Sequence, residues 1–314
     1  MAQVRKAVIP AAGRGTRFLP ASKAIPKELI PVVDRPAIQY VVEEAVAAGL
    51  SDIALVTADG KEAVEAHFTS DPTLEARLAS PRDAKRLADV RWAADLGPLT
   101  YVLQNEPNGL GHAVGVAEQF VGGEPFVVLL GDDFCDARDP AIPTMIALYE
   151  RTGMSVVLLL EVPLDMVRRY GSVDPVALPL AEIPGALDDA RIPADAEVFR
   201  LSRLNEKPAP GEEYSNLAVI GRYLFTPAVF DAIRATPAGW GGEFQLTDAI
   251  DRLARVPLEQ GGGVLGLLFR GRRYDTGDKL EYLKATVAIA ADRDDVGPAF
   301  REWLTSFVAG QERG

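Results

Sequence analysis

The first half of the chain alternates short apolar runs with amphipathic stretches. Residues 7–10, 53–57, 101–104 and 126–130 are β-rich apolar runs and predict strands. Between them, 36–48 places Ile38, Val41, Val42, Ala45 and Val46 on one helical face, and 111–120 repeats that spacing. Pro36 suits a first helical position and Gly49 a C-terminal stop. Such alternation predicts a mostly parallel sheet covered on both faces, with ligands at the carboxyl ends of its strands. The charged stretch 72–95 carries Leu74, Leu78 and Leu87 at helical spacing and reads as a surface helical insertion.

After Arg151 the pattern turns toward β structure, with strands expected at 156–160, 198–204, 217–225 and 264–269. Helices are expected at 227–235, 246–255 and 278–291, and the Pro-, Ala- and Asp-rich stretch 174–196 reads as a loop. A last helix, 298–308, carries Phe300, Trp303, Leu304 and Phe307 as an aromatic stripe. Packing of that stripe on its own core is the expectation, with a subunit contact as the alternative.

Chemistry concentrates where the first strand ends. Ala11, Ala12, Gly13 and Gly15 can turn sharply and bring backbone N–H groups against a ligand. Thr16 follows, and Arg17, Lys23 and Lys27 place three cations beside the turn. Close backbone approach plus clustered cations suits a polyphosphate, whose charge is spread over many oxygens. An ordinary βα turn with solvated basic residues is the alternative for Gly13 and Gly15 taken alone. Phe18 stands where a dinucleotide-binding loop requires glycine, and Gly60-Lys61 runs into Glu62 instead of the Ser or Thr of a Walker loop. Asp132, just past the run 126–130, falls at the same sheet edge as the glycine turn, so both can face one pocket.

The run from Ala11 to Lys27 resembles the signature loop of the sugar-1-phosphate nucleotidyltransferases. The continuation from Pro31 to Val42 is similar to the bacterial UTP–glucose-1-phosphate uridylyltransferase branch. Further blocks follow in family order: Gly109-Leu110-Gly111-His112-Ala113, Gly131-Asp132-Asp133, Asn205-Glu206-Lys207-Pro208, the run from Ser215-Asn216-Leu217 to Arg222-Tyr223, Gly242-Glu243-Phe244-Gln245-Leu246-Thr247-Asp248-Ala249 and Tyr274-Asp275-Thr276-Gly277. The resemblance covers roughly residues 4–305. It implies an α/β, Rossmann-like three-layer α/β/α fold with a mostly parallel mixed central sheet and a β-rich sugar-binding half. One domain is expected, with a nucleotide half over 1–150, a sugar-phosphate half over 151–275, and C-terminal helices over 276–314 as a candidate oligomer contact.

The resemblance implies uridylyl transfer from UTP to glucose 1-phosphate. Arg17, Lys27, Asp132 and Lys207 would be catalytic, and Ala11, Ala12, Gly13, Gly15, Thr16, Arg17, Lys27, Gln104 and Gly109 would hold the nucleotide. Gln104 would read the uracil edge through its amide, and Gly109 would let the base approach closely. Gly171, Glu206, Lys207, Asn216 and Glu243 would hold the sugar phosphate, while Asp132 and Asp275 would bind Mg2+. Asp133 and Gln245 would be supporting residues. The nucleophile is already anionic, so no general base is needed, which agrees with only two histidines, His67 and His112. The same chemistry with dTTP or another sugar phosphate is one alternative. A regulatory paralogue without activity is the other, and the presence of Thr16, Arg17, Lys27 and Asp132 argues against it.

Composition narrows the partners. A net charge of −12 disfavours nucleic acid and anionic membranes, so a polyanionic substrate must rely on a local cationic pocket. One cysteine, Cys135, allows no internal disulfide and fits a reducing compartment. Residues 1–5 lead into the first strand without a signal-peptide pattern, and no apolar run reaches the roughly 20 residues of a membrane span, so a cytoplasmic protein is expected. Relatives form oligomers, so a homodimer or homotetramer is expected.

Overall fold

The computed structural model describes residues 3–311. The strands are β1 (Lys6–Pro10), β2 (Pro31–Val32), β3 (Arg35–Pro36), β4 (Asp52–Thr57), β5 (Leu99–Leu103), β6 (Phe126–Leu129) and β7 (Asp133–Cys135). They continue with β8 (Ser155–Glu161), β9 (Gly171–Ala177), β10 (Val198–Glu206), β11 (Leu217–Phe225), β12 (Val264–Leu268) and β13 (Arg273–Asp275). The helices are α1 (Ala37–Ala47), α2 (Glu62–His67), α3 (Pro72–Arg77), α4 (Ala84–Asp95), α5 (Leu110–Gly115) and α6 (Glu118–Val121). α7 (Ile142–Thr152), α8 (Val229–Ala235), α9 (Leu246–Ala254), α10 (Lys279–Asp292) and α11 (Gly297–Gln311) complete the set.

Nine strands form one mixed sheet in the order β5-β4-β1-β6-β11-β8-β12-β10-β9. The half built from β5, β4, β1 and β6 is parallel, as the strand–helix alternation requires. β11 enters antiparallel beside β6 and β8, and it also meets β9, which curls that end of the sheet. One core packs α1 and α7 on Ile9, Leu55, Leu129, Leu158 and Leu265. The other packs α5, α8 and α9 on Val8, Val128, Val157 and Phe225. Successive residues of one strand, Val8 and Ile9, therefore serve opposite faces, which is why these strands read as continuous apolar runs.

Three elements differ from the sequence reading. The stretch expected as a helix over 111–120 is two helices, α5 and α6, the first ending at Gly115, a weak helix former. Pro36 caps α1 from the short β2/β3 hairpin instead of opening the helix. The start of the expected loop 174–196 belongs to β9. Pro175 is tolerated there because β9 lies at the sheet edge and the ladder shifts register between Leu201 and Arg203, opposite it.

α11 departs further. It packs on α10 and leaves Trp303 and Phe307 at 55% and 50% exposed, so the stripe does not bury itself in this chain's own core. The rings of Phe300, Trp303 and Phe307 stack on one another along the helix, at 5.7 and 5.3 Å between centroids.

Candidate active site

The site lies at the carboxyl edge of the parallel strands, where β1 and β6 end side by side. β1 delivers the glycine loop. Gly15 adopts φ +63°, and a Cβ there would stand 2.9 Å from the Cβ of Lys27, so only glycine lets the loop close over that lysine. Residues 16–18, 21–23 and 27–29 each form a single 3-10 turn, and Ser22 Oγ donates to the Gly15 carbonyl at 2.7 Å.

β6 delivers Asp132. The β7/β13 ribbon that follows brings Asp275 beside it, through Asp275 paired with Asp133. Thr276 fixes the turn by donating its N–H (2.7 Å) and its hydroxyl (2.8 Å) to the Asp132 carbonyl. A Cβ on Gly277 would lie 2.7 Å from Asp132 Oδ2 and 3.2 Å from Asp275 Oδ1, so both carboxylates converge on that glycine. Arg17 reaches the same turn, donating from Nη1 to the Gly277 carbonyl at 2.9 Å.

Lys27 pairs directly with Asp132. Burial alone would lower the Lys27 pKa, but the charges of Asp132 and Glu28 outweigh it and hold it above its ordinary value. Burial would likewise raise Asp132, and the Lys27 ammonium reverses this and holds that carboxyl below the usual range. For Asp275, burial wins over Arg273 and pushes the carboxyl up, with Asp133 and Asp132 adding their repulsion. Two close carboxylates that repel each other suit a divalent cation. A cation that keeps waters and takes phosphate oxygens needs few protein ligands. Among the described residues no group of three or more His, Cys, Asp or Glu is arranged to hold a metal.

Two cavities flank this pair. One, of about 340 Å³, is lined by Ala12, Gly13, Arg14, Lys23, Lys27 and Gln104 among others. The other, of about 310 Å³, is lined by Arg17, Asp132, Gly171, Glu206, Lys207 and Asp275, with Tyr170, Thr247 and Arg273. Lys27 belongs to the first and Asp132 to the second, so their ion pair is the common wall. A larger cavity of about 570 Å³ on the far side of the β7/β13 ribbon is lined by none of the candidate catalytic or binding residues.

In the second cavity Glu206 ends β10 and accepts from Thr247 Oγ1 at 2.6 Å, and burial pushes its carboxyl up. A Cβ on Gly171 would meet Thr247 Cγ2 at 2.9 Å, so glycine is required for Thr247 to cover it. Lys207 adopts φ +46°, an uncommon left-handed conformation for a side chain of this kind, and its ammonium lies 3.8 Å from Glu206.

The remaining positions are placed differently from the sequence expectation. Asn216 is not brought to the sugar cavity. It immediately precedes β11 and donates to Glu161 at 3.1 Å, while β11 lines the cavity through Val219, Ile220 and Gly221. Glu243 is exposed and lines neither cavity. Gly109 turns its open side to Glu243 and Phe244, where a Cβ would clash at 2.8 Å, so its need for glycine lies in that packing. Gln104 is buried against the first cavity, and its Nε2 faces His112 Nδ1 at 2.8 Å and the Gly109 carbonyl at 3.3 Å, contacts in which Oε1 takes no part. His67 meets Gln39 at 2.9 Å on α1 and takes no part in the site.

Sequence reasoning overlooked Arg273, which grips Asp133 with Nε and Nη2 at 2.6–2.9 Å, and the Thr247 lid. It also gave no role to Glu28, buried under the glycine loop, or to Lys61, partly buried at the edge of the first cavity. Gly60-Lys61 offered a signal, both as a failed Walker motif and as the Gly-Lys pair of the resembled family.

This fold and two-cavity site are those of an enzyme class that joins a nucleotide to a phosphorylated acceptor. The chain belongs to the nucleotidyl transferase family, which residues 6–292 match. It is 41% identical over 310 residues to the UTP–glucose-1-phosphate uridylyltransferase of Bacillus subtilis (strain 168), covering 99% of this chain and 98% of the relative. A UTP-bound UGPase from Acinetobacter baumannii superposes with a TM-score of 0.82 at 35% identity, covering 96% of this chain and 99% of that one. A UDP-glucose pyrophosphorylase complexed with UDP-glucose superposes with a TM-score of 0.77 at 35% identity, covering 93% and 100%.

Proposed function

We propose that the protein transfers a uridylyl group from UTP to α-D-glucose 1-phosphate. The observation that carries this reading is the shared wall: a cationic glycine-loop cavity and a hydroxyl-accepting cavity meet at Lys27 and Asp132. A phosphate oxygen of the sugar phosphate attacks the α-phosphorus of UTP, the bond to the β-phosphate oxygen breaks, and pyrophosphate leaves with its electron pair. The nucleophile is already an anion, so positioning and charge neutralisation supply the catalysis.

The triphosphate lies on the N–H groups of the loop, with Arg17 and Lys27 facing the oxygens that become pyrophosphate. The Gln104 Oε1 accepts from the N3–H of uracil, which cytosine lacks. Glu206 accepts sugar hydroxyls, and Lys207 holds the sugar phosphate. Asp132 and Asp275 would hold Mg2+, which would supply neutralisation of phosphate charge. The buried lone cysteine suits a cytoplasmic setting, and the exposed stripe on α11 suits a homodimer or homotetramer.

The test is a steady-state screen of four triphosphates against several sugar phosphates, read by pyrophosphate release. The reading expects UTP with glucose 1-phosphate to lead, dTTP to be detectable, and CTP to be poor. CTP matching UTP would remove Gln104 as the base reader and the uridylyl assignment with it.

A further inference from the structure

The glycine loop has a fixed cation beside it, at the edge of the first cavity. Lys61, just after the β4 strand, directs its ammonium at three acceptors: the Ala11 carbonyl, the Gly13 carbonyl at 2.7 Å and Glu28 Oε2 at 2.8 Å. An ammonium has three protons, so this set uses all of them. The side chain is 11% exposed and that of Glu28 1%, so neither end is a solvated surface charge.

Peptide planarity gives this arrangement a consequence. A trans peptide points its C=O and N–H in opposite directions. With the carbonyls of Ala11 and Gly13 drawn toward Lys61, the N–H groups of Ala12 and Arg14 are turned away from it. Both residues line the nucleotide cavity, and among the described residues neither N–H donates to another main-chain group. Two carbonyl dipoles that would repel a polyanion are thereby tied back, and two N–H dipoles that attract one are presented.

Glu28 connects the strap to the reacting centre. Its Oε2 holds Lys61, while its Oε1, without a hydrogen-bond partner among the described residues, stands 4.0 Å from the Lys27 ammonium. Lys61, Glu28, Lys27 and Asp132 thus form one chain of alternating charge running beneath the loop.

We propose that Lys61, anchored by Glu28, is a positioning residue that sets the peptide orientation of the glycine loop and so determines affinity for the triphosphate. Its side chain lines the first cavity, but its ammonium is spent on these three acceptors, so it acts through the loop. The proposal rests on the reading that the triphosphate occupies this loop.

The experiment compares the parent, Lys61→Met, and the double variant Lys61→Met with Glu28→Gln. UTP binding is measured by calorimetry with Mg2+, the Michaelis constant for glucose 1-phosphate by steady-state kinetics, and the thermal midpoint of each protein. Lys61→Met strands a buried carboxylate and lowers the midpoint; the double variant, with two neutral groups of similar size, recovers it. The strap predicts that UTP affinity stays about tenfold or more below the parent in both variants, in line with a lost charge-assisted contact. The glucose 1-phosphate constant stays within about twofold, a margin well inside the tenfold of such a contact. Recovery of UTP affinity together with the midpoint, or parent-like UTP binding by a folded Lys61→Met, would overturn the strap and leave the pair a packing feature. Absence of UTP binding by the parent would instead overturn the reading of the loop on which the strap depends.

Discussion

Lys27 and Lys207 carry the same charge but line different cavities, and on the proposed function they serve different substrates. Lys27→Ala should raise the Michaelis constant for UTP and Lys207→Ala that for glucose 1-phosphate, each by roughly ten- to a hundredfold, the size of a lost charge-assisted hydrogen bond. Steady-state kinetics with each substrate varied in turn checks this, and a rise in the same constant for both variants would refute the division. On the proposed role of Asp132 as a metal ligand, Asp132→Asn keeps the shape but removes the anchoring charge, so turnover should fall by orders of magnitude, and excess chelator should do the same to the parent. The carboxyl of Glu206 is pushed up by burial. As pH falls through that raised pKa, Glu206 gains a proton and loses acceptor capacity, so its advantage in binding the sugar shrinks. The ratio of glucose 1-phosphate constants for Glu206→Gln and parent should therefore approach one toward acid. Titration of the substrate phosphate cancels in that ratio.

Much of the site was legible at this scale because glycines and paired charges at fixed spacing leave few chemical uses. Arg17 lines the second cavity and not, as expected, the nucleotide one, and Lys27, Asp132, Glu206 and Asp275 each line one of the two cavities. Asn216 and Glu243 do not, since sequence places a residue on a strand or turn without saying which cavity it lines. No role was legible for Lys61 and Glu28, because their meaning lies in contacts 33 residues apart.

At the scale of elements, β11 ties the halves together. Arg222 on it is 1% exposed, donates to Glu44 of α1 from Nε at 2.9 Å, and donates to the Asp133 carbonyl at 2.6 Å. Arg273 then grips the Asp133 side chain from β13. The β7/β13 ribbon is thus clamped to helix and sheet by buried charge. Arg222→Met leaves Glu44 uncompensated and should cost about 3–5 kcal/mol in chemical denaturation, with Glu44→Gln in the same chain recovering part of it. An unchanged denaturation midpoint would show that the clamp contributes nothing. Strands were the most legible elements, because burial on both faces writes them as continuous apolar runs. β7, β9 and β13 were missed, being short, acidic or interrupted by Pro175, and their pairing is set by tertiary contact.

For the whole molecule, Trp303 and Phe307 form an exposed ladder on α11, and α10 adds Leu280 and Leu283, each 59% exposed. An apolar face of this kind fits a second copy of the chain. Trp303→Glu with Phe307→Glu should lower the mass seen by light scattering while leaving the fold intact, and an unchanged mass would place the contact elsewhere. Sequence alone showed the stripe but not whether it faced in or out, because an aromatic heptad-like spacing serves a core and an interface equally well.

The central claim, that the two cavities bring a sugar phosphate to the α-phosphorus of UTP, is tested most directly by following label from UTP marked at that phosphorus. With glucose 1-phosphate and Mg2+ present, the account predicts label in UDP-glucose, one unlabelled pyrophosphate per product, and no label transfer when the sugar phosphate is withheld. Label remaining in free UMP or UDP with both substrates present would contradict it.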